Sequence, residues 1–147
     1  MFRKLLVPTD GSDLSQSAVA AAVTFAREVG AKIIFLNVKP DYDASLYGES
    51  ALVEVAAPQL LYTMTERRAH EILAKAAALA DAADVPNVAL AEIDDRPYAA
   101  IISAAEREGC DLILMASHGR GGMSGVLLGS VTQKVLTHCK LPVLVYR

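Results

Sequence analysis

The chain has 147 residues, the length of one domain at roughly 100–200 residues each, and long enough to bury a core without disulfide or metal staples. Hydrophobic residues make up 53% and charged residues 21%, which excludes a disordered tail. With 17 acidic and 14 basic residues the net charge is −3, which argues against a nucleic-acid backbone or an anionic membrane as the main partner but leaves room for a local anion site made of backbone amides.

The chain opens with a basic pair, Arg3 and Lys4, and only three apolar residues before Pro8, too few for the roughly 7–15 of a signal peptide. Ser15 to Ala26, free of charge, falls short of the ~18 apolar residues of a membrane span. A soluble, cytoplasmic protein is expected. Leu5-Leu6-Val7 reads as a buried strand. The next segment is helical: Leu14, Ala18, Ala22, Phe25 and Val29 share one face, Asp13 and Gln16 have the spacing of a capping box, and Gly30 is the stop. Ile33 to Val38, β-branched and aromatic, is a second strand. Residues 39–57 mix Pro40 and Gly48 with apolar side chains and read as a long binding loop or lid.

Pro58 suits the first turn of a helix reaching about Ala83, with Leu61, Thr65, Arg68, Ile72, Ala76 and Leu79 on its apolar face. Val88 to Ile93 is a third strand, and Pro97 starts a helix that carries Ile101, Ile102 and Ala105 and stops at Gly109. Leu112 to Ala116 shows no alternation, so it is a strand buried on both faces. A Gly-rich loop, Ser117 to Gly129, leads into a helix from Ser130 to His138 and a last strand at Pro142 to Tyr146. Five strands alternating with four helices predict a single α/β domain over residues 1–147, an open parallel sheet with helices on both faces. Cys110 and Cys139 have neither C-x-x-C nor metal-ligand spacing and read as buried or half-buried reduced thiols.

In such sheets ligands bind beyond the carboxyl ends of the strands, where the winding reverses. Two loops stand there: Pro8 to Asp13 after the first strand, and Ser117 to Gly129 after the fourth. In the second, Gly119, Gly121, Gly122 and Gly125 permit close backbone approach, and the helix opening at Ser130 presents amides with no internal partner. Those amides and the helix dipole attract an anion, to which the hydroxyls of Ser130 and Thr132 add donors and Arg120 a cation. Ser130 and Gln133 also form an S-x-x-Q capping box, which satisfies the same helix start with no ligand. The loop is neither a Walker A motif nor the dinucleotide G-x-G-x-x-G turn.

Three pieces of the chain resemble the universal stress protein family. They are Leu6-Val7-Pro8-Thr9-Asp10-Gly11-Ser12, the stretch Ala116-Ser117-His118-Gly119 followed nine residues later by Gly129-Ser130, and the ending Pro142 to Tyr146. The resemblance spans the chain, with Ala116 standing where the nucleotide-binding pattern has its first glycine. It implies a Rossmann-like sheet of order 3-2-1-4-5, a homodimer through the last strand, and ATP in the crevice between the two loops. Phosphates would meet Gly119, Gly129, Ser130, Val131 and Thr132, and the adenosine end Pro8, Thr9, Asp10, Val38 and Met115. Ser117, His118 and Arg120, on the same loop, belong to that nucleotide-facing set. Asp10, the one carboxylate at a crevice strand end, is a candidate for ribose or for a Mg²⁺ carried by ATP, or simply a helix-start acid.

A catalytic set of Asp10, Ser117 and His118 is disfavoured, because the serine and histidine are adjacent and no G-x-S-x-G elbow is present. His70 reads as solvated, and His138 as a helix-closing residue. With Arg120 as the loop's cation and no clear base, slow or absent ATP turnover is expected. The alternative readings are a nucleotide-independent interaction or chaperone-like module, and a slow ATPase.

Overall fold

The computed structural model describes residues 1–41, 57–120 and 127–147. The segment 42–56 of the long loop, and Gly121, Gly122 and Gly125 of the Gly-rich loop, lie outside them. The elements are β1 (Lys4–Pro8), α1 (Asp13–Val29), β2 (Lys32–Lys39), α2 (Ala57–Ala82), β3 (Asn87–Ile93), α3 (Pro97–Arg107), β4 (Leu112–Ala116), α4 (Ser130–His138) and β5 (Val143–Tyr146). The strands form one parallel sheet in the order β3-β2-β1-β4-β5, as the resemblance implied.

The period-two geometry of a strand sorts the apolar runs onto two faces. Leu5, Val7, Ile33 and Phe35 bury against α1 and α2, while Leu6, Ile34, Leu36, Ile113 and Met115 face α3 and α4. Phe35 and Leu5 have no exposed surface; truncating such a side chain to alanine costs about 2–5 kcal/mol. β4 is buried along its whole length, in agreement with its unbroken apolar run. β3 and β5 are the sheet's edges, and Val88 and Ile93 of β3 stay exposed.

Gly30 ends α1 in the left-handed region at φ 70°, and Gly109 follows α3 at φ 65°, both as the sequence predicts. Two expectations are corrected. The N-cap of α1 is Ser12, whose hydroxyl accepts the Ser15 N–H at 3.4 Å; Asp13 is already helical, and the Gln16 amide donates to Gly11 O. The reason lies one turn upstream, where Asp10 Oδ1 accepts from the Ser12 N–H and hydroxyl and fixes Ser12 in the cap position. On α2 the buried face is Ala69, Leu73, Ala76 and Ala80, whereas Leu61 and Leu79 are nearly half exposed. Leu61, Ile72 and Leu79 line the neighbouring cavity.

Candidate functional site

β1 lies beside β4, so the loops leaving their carboxyl ends are neighbours. The first loop is held by its own hydrogen bonds. The Thr9 N–H donates to Leu36 O at 2.8 Å, and the side chain of buried Asn37 donates to Thr9 O at 2.9 Å. The Ser15 hydroxyl donates to Thr9 Oγ1 at 2.8 Å and accepts from the Asp10 N–H. Gly11 adopts φ 78°, and a side chain there would meet Ile72 of α2 at 2.7 Å. Both the conformation and the close approach require glycine.

Asp10 ties the two loops together. Its Oδ1 takes both Ser12 donors, and its Oδ2 accepts the Arg120 N–H at 3.0 Å. Gly119 passes so close that any Cβ would overlap the Asp10 carboxylate. Three of the carboxylate's roughly four acceptor sites are therefore used, leaving one for a ligand hydroxyl. Asp10 is thus a clasp between the two loops with one acceptor site remaining. Among the described residues no cluster of three or more metal-ligating side chains exists.

The second loop brings the start of α4 against the end of β4. Gly129 N–H donates to Ser117 O at 2.7 Å, and Ser117 N–H to Tyr146 O at 2.7 Å. Gly129 is the N-cap of α4 and packs on the His118 backbone, and no side chain caps the helix. The first intrahelical bond is Gln133 N–H to Gly129 O, so the amides of Ser130, Val131 and Thr132 precede it. The Ser130–Gln133 capping box does not form, because Gln133 turns its side chain to Leu128 O. The Thr132 hydroxyl is likewise no free donor: it is buried and donates to Ala116 O at 3.0 Å. Ala116 is itself buried in the core on the α1 side, which accommodates the methyl group where the pattern has glycine.

Thr9, Asp10, Val38 and Arg120 line one cavity of about 770 Å³, within the range of small-molecule sites. Pro8 is half-buried at the end of β1. Met115 does not join this cavity; its side chain is 5% exposed and belongs to the α3–α4 core. Val131 packs partly against that same core. Ser117 is buried with its hydroxyl 3.2 Å from His118 Nδ1, so these neighbours do meet, contrary to the expectation from adjacency. His70 is exposed, and His138 lies in the last turn of α4, its ring 5.4 Å from that of Tyr98. Burial pushes the Cys110 thiol up to about 11.

Sequence reasoning named the α2 face of Leu61, Thr65, Arg68, Ile72, Ala76 and Leu79 without its place on the cavity, and missed Asn37. The signal for Asn37 was present: a polar residue inside an apolar strand needs a buried partner. The partner is Thr9 O.

An open parallel sheet of order 3-2-1-4-5, with a cavity at the carboxyl ends of β1 and β2, defines a doubly wound α/β domain. The sequence model of the Universal stress protein family matches residues 1–147, and the chain belongs to that family. It is 34% identical over 150 residues to a universal stress protein of Thermus aquaticus, covering 100% of both chains. The solved structure of MJ0577, a universal stress protein of Methanocaldococcus jannaschii, is similar at TM-score 0.81 and 27% identity, with 99% of this chain and 96% of that one covered. A universal stress protein crystallised in complex with cAMP is similar at TM-score 0.69 and 26% identity, with coverage of 99% and 97%.

Proposed function

We propose that this chain is an ATP-binding regulatory protein of the stress response. The observation that carries the reading is the start of α4. Gly129 provides no cap, so the amides of Ser130, Val131 and Thr132 are left for an anion at the positive end of the helix dipole. Gly119 and Gly129 let phosphates approach the backbone. The free acceptor site of Asp10 suits a ribose hydroxyl, and Thr9 and Val38 form the adenosine side of the cavity. The relative solved with cAMP supports an adenine nucleotide.

Chemistry beyond binding is slow or absent in this reading. The one histidine beside the phosphates, His118, is engaged with Ser117, and the nearby carboxylate, Asp10, is engaged with Ser12 and Arg120. Neither is poised to activate a water. The protein acts in the cytoplasm as a homodimer formed through β5, whose outer edge pairs with no strand among the described residues. Calorimetric titration of the full chain with ATP, ADP and cAMP tests the proposal. Saturable binding of ATP is expected, with no sustained release of ADP. The absence of both heat and thermal shift with ATP sinks it.

A further inference from the structure

The α2 wall of the cavity is cationic out of proportion to the molecule. The chain carries a net charge of −3. Among the described residues, Lys39, Arg67, Arg68, Lys75 and Arg120 line the cavity, against only Asp10 and Glu71. Two of these cations are neutralised locally, Lys39 by Glu66 and Arg67 by Glu71. Asp10 is occupied by Ser12 and the Arg120 N–H. No ion pair among the described residues engages the side chains of Arg68, Lys75 or Arg120.

These three line the same cavity. Measured from where a Cβ on Gly11 would sit, Ile72 Cγ1 is at 2.7 Å and Arg120 Nη2 at 3.7 Å, so the guanidinium lies close to the Ile72 side of α2. Arg68 and Lys75 stand four residues before and three after Ile72, on the same helix face. Three like charges around one point repel one another unless an anion lies between them. Arg120 also belongs by its backbone to the loop that follows β4, where its N–H donates to Asp10.

We propose that Arg68, Lys75 and Arg120 form a second anion subsite that makes the crevice selective for nucleotides with a di- or triphosphate chain over those with a single phosphate. The proposal rests on the nucleotide reading given above. The α4 amides hold one phosphate, and the remaining charge of a longer chain is met by the α2 cations. A cyclic monophosphate carries one negative charge and reaches only the first subsite. Guanidinium and ammonium groups bind phosphate oxygens through charge-assisted hydrogen bonds, and each such contact steepens the salt dependence.

The test is calorimetry of the full chain with ATP, cAMP and inorganic tripolyphosphate at several salt concentrations, on the wild type and on the double variant Arg68→Gln/Lys75→Gln. The double variant is expected to bind ATP roughly tenfold more weakly and with a shallower salt slope, while cAMP affinity stays within about twofold. The exchange of Arg68→Lys with Lys75→Arg keeps both charges and is expected to keep most of the selectivity, which separates charge from folding. Equal losses for ATP and cAMP, or no loss for either, overturn the subsite. If the wild type binds neither nucleotide, the ATP reading fails on its own. Tripolyphosphate then decides the subsite: binding that the double variant loses upholds it, and absence of binding overturns it.

Discussion

Two helices follow the loops that leave the adjacent strands β1 and β4, and their starts are built differently. α1 is closed by its own side chains: Ser12 accepts the Ser15 N–H, and Asp10 holds the Ser12 N–H and hydroxyl. α4 begins at Gly129 with no side-chain cap: Gln133 of the expected capping box turns to Leu128 O, and the Thr132 hydroxyl turns back to Ala116 O. Both helices carry the same dipole. At α4 no leading amide is taken by a side-chain cap, and a side-chain cap and a bound anion compete for the same donors. Under the proposed function, capping chemistry separates the helix start that serves stability from the one that serves binding.

The strongest way to break this contrast is to place an acid on the open helix. Gly129→Asp sets a carboxylate against the amides that would hold phosphate, and loss of ATP binding below calorimetric detection is expected. Gly129→Ala is the control, since it makes the same contact with the His118 backbone, 3.1 Å from its Cα, without the charge. It should retain more affinity than the aspartate variant, and equal loss in both would move the explanation from electrostatics to packing.

Disrupting the clasp between the loops comes next. Gly119→Ala displaces the Asp10 carboxylate and its bond to the Arg120 N–H. The expected outcome is a several-fold loss of ATP affinity together with about 1–3 kcal/mol of stability in urea titration. The smallest effect belongs to the closed helix. Ser12→Ala removes a cap worth about 1 kcal/mol, and nucleotide affinity should stay within about twofold of wild type. A large loss of affinity there would mean that the two helix starts are not functionally distinct.

The sheet was largely legible because its signals are local. Leu112 to Ala116 is apolar throughout and buried throughout, and Gly30 adopts the left-handed turn that a helix stop requires. The buried face of α2 was not legible. Its alanine-rich sequence carries leucines on two faces, so helical periodicity alone leaves the orientation open. Leu61, Ile72 and Leu79, read in the sequence as one face with Arg68, line the cavity beside Arg68 and Lys75. The candidate site was legible in its glycines and in Asp10, but not in what Asp10 does. Its bond to Arg120 spans 110 positions, and no spacing rule reaches that far. Met115 is the penultimate residue of β4, and strand alternation turns its side chain to the α3–α4 face of the sheet.

β1 occupies the middle of the sheet, between β2 and β4, and its following turn is joined to a partner that is translated 110 residues later. A growing polypeptide on the ribosome thus owns half of the cleft from its first moments and lacks the other half until β4 and α4 have emerged. Contacts of such long range form late. Under the proposed function, nascent fragments that end before β4 still lack Arg120 and the start of α4, the phosphate side of the site.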